Sequence, residues 1–194
     1  MSLSQTSPLQ RPDPGPQAPG SAPYLVPLLV GGLVAVALGV YGREHTPTGY
    51  AVGLAGFSGA QAMKSWLATA SFVLAIVQLV SALTMYGRIP GLQAPSWTGA
   101  LHRWSGRLAF VLSVPVAFHC LYALGAQFDV PRVLVHSLLG SFFYGVFVAK
   151  MLSLPKRNLP GWTLPVLGGL AFAALTGLWL TSSFWFFTTF GVTF

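Results

Sequence analysis

The side chains able to do chemistry in this chain are few, and four histidines stand out among them: His45, His102, His119 and His136. His119 lies in SVPVAFHCLYAL and His136 in VLVHSLLGSFFYG, both stretches apolar apart from these residues and small hydroxyls. Ionisable groups at membrane depth are expensive and usually serve a purpose. If both stretches are helical, His119 stands near the end of one helix and His136 near the start of the next. At 1.5 Å rise per residue, both imidazoles then lie roughly 5–8 Å below the same surface. Two imidazoles at one depth on facing helices suit bis-histidine coordination of haem b, whose iron takes one nitrogen from each porphyrin face. A hydrogen-bonded interhelical pair is the alternative for the same two residues.

The neighbours of this pair can be given roles. Gly140, one turn beyond His136, leaves room for a flat macrocycle, and Phe143 and Phe147 continue that face. Pro115, one turn before His119, removes an N–H and bends its helix. Arg132 is placed to hold a propionate bidentately. Cys120 points about 100° away from His119, which disfavours a copper or zinc cage built on the two. As the only cysteine, it also excludes an internal disulfide framework.

His102 precedes His119 by 17 residues, about 25 Å along a helix and about 100° off its face. It remains a candidate cofactor contact, but no second histidine exists at its end to complete another pair. An interfacial position beside Arg103 and Arg107, against headgroups, a quinone or another subunit, is the expectation. His45 is expected in a solvated loop. Gln78 is expected to make an interhelical hydrogen bond, with a quinone or proton path as the alternative.

The elements that must position these residues follow from composition. Charged residues make up 7% of the 194, and apolar types 54%; mean hydropathy is +0.67. A soluble surface needs roughly 25–35% charge. Five apolar runs, at about 24–41, 66–86, 104–124, 133–154 and 163–187, are each long enough to span a bilayer. The expected fold is all-α, a polytopic bundle of five transmembrane helices. It follows a Pro-rich tail over 1–23, read as disordered or polyproline-like, and ends in a short 188–194 segment. The eight-residue Gly125–Arg132 connection predicts that the third and fourth spans are antiparallel neighbours. Small-residue strips at Ser137, Ser141, Gly145 and at Gly169, Ala173, Gly177 provide for close packing.

The net charge of +7 sits in short loops, so it reads as a topology signal and headgroup contact; no basic-plus-aromatic patch points to nucleic acid. Arg11, Arg88, Arg103, Lys150, Lys156 and Arg157 collect on one side, against Arg43, Lys64 and Arg132 on the other. The positive-inside rule then puts the N-terminus in the cytoplasm and the C-terminus outside, in the cell membrane. Outside the tail the only carboxylates are Glu44 and Asp129, which argues against a carboxylate-driven transporter.

The stretch GRLAFVLSVPVAFHCLYAL, with Arg107, Leu108, Ala109, Phe110 and then His119, resembles the haem-bearing helix of ferric-reductase-like transmembrane proteins. The LHRWSGR opening and the His119/His136 pair resemble cytochrome b561-type proteins. The resemblance covers mainly 101–154. It implies haem-ligand roles for His119 and His136 and a structural or haem-edge role for Arg107. Those families carry two stacked histidine pairs, and only one is complete here, so one haem is implied. The resulting expectation is a membrane electron carrier that passes single electrons between a donor such as quinol and an extracytoplasmic redox partner. A non-catalytic subunit or assembly factor of a membrane complex, with the histidines as polar interhelical residues, is the alternative of another class; within the haem reading, a homodimer is one way to supply missing ligands across its interface.

Overall fold

A computed structural model describes residues 23–51, 53–125 and 129–194. Nearly all of the Pro-rich tail, and residues 126–128 of the third connection, lie outside the described residues. Among the described residues every regular element is helical. Helix α1 covers Leu25–Glu44, α2 Ala60–Met85, α3 Thr98–Phe118, α4 Pro131–Ser153, α5 Thr163–Trp179 and α6 Trp185–Phe190. A π-helical stretch, His119–Leu124, continues α3, and a second, Leu180–Phe184, joins α5 to α6. The result is five helices long and apolar enough to cross a membrane, as expected.

Helices are the necessary answer where no water is available to satisfy backbone groups, because all their hydrogen bonds stay within the segment. The spans are nevertheless longer at certain ends than the apolar runs. Helix α2 begins at Ala60 rather than 66, and α3 at Thr98 rather than 104. In both cases a charged residue, Lys64 or Arg103, stands inside the helix and lowers the local hydropathy that marked the run.

The helices form a ring in the order α1, α4, α5, α2, α3. The tightest crossing is α1 on α4. A Cβ on Gly145 would lie 2.6 Å from the Gly31 carbonyl oxygen and 2.8 Å from the Ala35 Cβ. The strip Ser137, Ser141, Gly145 therefore serves α1, with backbone meeting backbone as small residues permit. The other strip is corrected: Gly169 has open space around it and Ala173 is exposed. Only Gly177 packs, with its Cβ position 2.6 Å from Leu139. Helix α5 instead buries Leu167, Ala174 and Leu175. Its seam with α2 is aromatic, with Phe72 and Trp179 stacked at 4.9 Å.

The expected α3–α4 neighbourhood is also corrected. The two helices run antiparallel, but α4 packs on α1 and α5, and α3 packs on α2. Between α3 and α4 stand large side chains. Tyr144 donates to the Ser113 carbonyl at 3.0 Å, and Phe110 stacks on Phe147 at 4.2 Å. At one end of the bundle the ring is closed by the connection after α1. Thr48 and Gly49 donate backbone N–H groups to the carbonyls of Tyr122 and Ala123 at 3.2 and 3.0 Å. His45, expected to be solvated, stacks between Tyr41 (4.9 Å) and Tyr122 (5.3 Å) and donates from Nε2 to the Tyr122 carbonyl.

At the opposite end Trp97, Trp104 and Trp162 are exposed, as an interfacial belt requires. The outer face of α1 exposes Leu25, Val26, Leu29, Leu33 and Val36, a surface suited to lipid. If the α1–α4 crossing depends on absent side chains, Gly145→Leu should cost about 1–3 kcal/mol by overpacking. The control Gly169→Leu should stay within about 0.5 kcal/mol. Thermal unfolding of both variants in one detergent reads the difference.

Candidate functional site

Because bulky side chains hold α3 and α4 apart, an interior cavity of about 350 Å³ remains in the half of the bundle that carries Arg132. All five spans line it, through Gly39 and Gly42 of α1, Lys64 and Ser71 of α2, Ser113 and Cys120 beyond it, His136 and Gly140 of α4, and Leu178 and Thr181 near the last span's end. Phe143 and Leu175 form part of its apolar wall.

Four sequence-derived site residues, Arg132, His136, Gly140 and Phe143, meet at this cavity. Arg132 donates to the Thr181 carbonyl, and its guanidinium carbon sits over Trp185, 3.7 Å from the ring centre. His136 has its Nδ1 3.0 Å from Thr181 Oγ1. The Thr181 hydroxyl donates its single proton to the Gly177 carbonyl at 2.7 Å. With that proton on the Gly177 carbonyl, His136 Nδ1 donates to Thr181 and Nε2 carries the lone pair; the Leu178 carbonyl is a further backbone partner of the ring. That is the tautomer a metal-ligating histidine needs, with the far nitrogen fixed by a second hydrogen bond. Gly140 is open as expected: an added Cβ would meet nothing nearer than Leu178 at 3.8 Å.

His119 is not brought to this space. The cavity face of the third span runs through Ser113, Val116, Ala117, Cys120, Leu121 and Leu124. His119 belongs to another face, one heptad series with Thr98, Ser105 and Leu112, of which Thr98, Ser105 and His119 are buried. That series forms the seam with α2, where Gln78 donates to Ser105 Oγ and Ser71 donates to the Ala109 carbonyl. His119 Nδ1 donates to the Pro115 carbonyl at 2.8 Å, and its Nε2 is buried with no hydrogen-bond partner. The expectation that His119 and His136 face one another is corrected on this point. The reason is the ring order, which turns the His119 face toward α2.

His102 is half-buried in the same seam. Its Nδ1 is 2.9 Å from Ser81 Oγ, and Gln78 Nε2 hydrogen-bonds its carbonyl. Gly106 leaves room for the Gln78 amide, which an added Cβ would approach at 3.0 Å. Gln78 is thus the interhelical residue expected, and His102 is a seam residue rather than one directed at headgroups. Arg107, assigned an edge role by resemblance, lies 5.0 Å over the Trp104 ring. Among the described residues, no three His, Cys, Asp or Glu side chains gather as a metal cage.

The residue missed from the sequence is Lys64. Its place at the edge of an apolar run reads as a loop cation, whereas the structure has it 7% exposed and lining the cavity. The available signal was its spacing from the apolar residues that follow: Lys64, Ala68, Ser71 and Ala75 repeat every three or four positions.

The fold and cavity define a multi-pass α-helical membrane protein with a largely apolar interior cavity that a few polar side chains reach. Residues 24–194 match the model of the Family of unknown function (DUF6529), and the chain belongs to that family. No curated protein and no solved structure matches it.

Cysteine reactivity separates the two histidine positions. In a Cys120→Ser background, cysteine in place of His136 should react readily with a small membrane-permeant maleimide. Cysteine in place of His119 should react far more slowly.

Proposed function

We propose that this protein holds one haem b in its interior cavity and acts as a b-type-cytochrome-like electron carrier of the cell membrane. The observation that carries the reading is His136. It lines the cavity with its Nδ1 held by Thr181, between the cation Arg132 and the open Gly140. Haem would supply one-electron chemistry at its iron. The chain's part is to present the His136 nitrogen, exclude water with the Phe143 wall, and offer cations to the propionates.

The fit is partial. His136, Arg132, Gly140 and Phe143 suit the group, whereas two-histidine ligation does not fit the present position of His119. The bare, buried Nε2 of His119 nonetheless leaves it the tautomer of a ligand. A quinol donor and an extracytoplasmic acceptor complete the proposal. Orientation belongs to it as well. With Lys64 moved from loop to span, Arg43 and Arg132 face Arg88, Arg103, Arg107, Lys150, Lys156 and Arg157. That bias supports a cytoplasmic N-terminus and a cavity in the outer half of the bilayer.

A second reading has its own observation. His102 bonded to Ser81 of α2, beside Gln78 bonded to Ser105, is what polar interhelical packing produces. That favours a non-catalytic subunit or assembly factor.

Purification in mild detergent from haem-replete cells should give a sharp reduced-minus-oxidised α-band. His136→Ala should abolish it and His45→Ala should keep it. Loss in His119→Ala would make that histidine the second ligand. A colourless preparation that brings down stoichiometric partners would reject the haem and favour the second reading.

A further inference from the structure

Lys64 is the least explained charge in the molecule. It is 7% exposed and faces the cavity, and no hydrogen bond or ion pair reaches it from the described residues. An ammonium taken out of water with no partner is strongly disfavoured. The chain has little to offer as a counter-ion. Of its three acidic residues, Asp13 precedes the described residues. Glu44 is exposed and lies 3.8 Å from Arg43, and Asp129 is exposed in a connection. Neither lines the cavity. Arg132, the second cation at the cavity, uses one N–H on the Thr181 carbonyl and has its guanidinium carbon over the Trp185 ring, which leaves further donors for a ligand.

Lys64 and Arg132 stand one turn or less inside the starts of α2 and α4, at the same end of the bundle. The opposite wall, with Phe143 and Leu175, is apolar. We infer that Lys64 and Arg132 form an anion seat, taking the carboxylate or phosphate of a ligand whose apolar body fills the cavity. The inference rests on the cavity being a ligand site, and it names the charged group that ligand must carry. Two sources share this chemistry: an anionic amphiphile from the bilayer, or the carboxylates of a bound cofactor.

The full chain in a non-ionic detergent provides the test, with 9,10-dibromostearate as probe, because bromine quenches tryptophan on contact and Trp185 lines the cavity. Colourless protein should show saturable quenching that is much reduced in Trp185→Phe. The methyl ester of the probe should bind at least about tenfold more weakly, and so should the acid to Lys64→Met, while Lys64→Arg retains binding. Without ligand, Lys64→Met should unfold at a higher temperature than the parent, since it removes an unpaired buried charge.

Equal binding of acid and ester, or wild-type affinity in Lys64→Met, would overturn the inference. Haem-bearing protein that excludes the probe assigns the seat to cofactor carboxylates; equal binding by coloured and colourless protein assigns it to a membrane amphiphile. Probe binding by protein that never takes up haem would leave the seat standing and reject the haem. A haem-bearing protein indifferent to Lys64→Met would do the reverse.

Discussion

The strut between α3 and α4 decides what the interior of this bundle is. Tyr144 reaches across to the Ser113 carbonyl, and Phe110 lies flat on Phe147. Those side chains set a separation that two helices packed through small residues would not have. Toward Arg132 from the strut, the described residues leave the cavity between the spans. The ring order follows from the same constraint. Helix α4, denied close contact with α3, satisfies its small-residue strip on α1 and its Leu139 face on α5. Helix α3 then has only α2 as a close partner, and the polar groups of that seam gather there.

Two kinds of polar burial therefore coexist. In the α2–α3 seam, Gln78, Ser81, His102 and Ser105 form a connected set of donors and acceptors. Interhelical hydrogen bonds of this type contribute on average roughly 0.6 kcal/mol each, enough to fix register without dominating stability. At the cavity, Lys64 has no hydrogen bond or ion pair among the described residues, with the Cys120 thiol as its electrostatic neighbour. Satisfied groups specify how two helices meet. Unsatisfied ones mark where the chain is incomplete by itself.

The spans were legible because hydropathy averaged over about 20 residues is a strong signal, and the structure reproduces all five. The Ser137–Gly145 strip was also legible, since spacing alone places its residues on one face. What the sequence could not convey was the order of helices around the ring. Every span is apolar on nearly all sides, so no amphipathic stripe shows which flank meets which neighbour. The short connection after α3 suggested adjacency to α4, and His119 was assigned inward on that basis. The wheel angle between His119 and Cys120 was known; which of them faces inside depends on α2 taking the His119 side. Lys64 was obscured for a different reason. A charge at the edge of an apolar run looks like the beginning of a loop, whereas here the helix extends one further turn and carries it indoors.

The way the ring closes has a consequence for how anything would get in. Four sides of the cavity are helix–helix seams, but between α1 and α3 the described closure is the backbone latch of Thr48 and Gly49 on Tyr122 and Ala123, at one end. Among the described residues that seam is the thinnest of the five, the third span meeting α1 through His119–Leu124 rather than along its length. A solute would enter sideways at that seam, from solution in the lipid. Occupancy would then be governed by how strongly a compound partitions into the bilayer, more than by its concentration in water on either side.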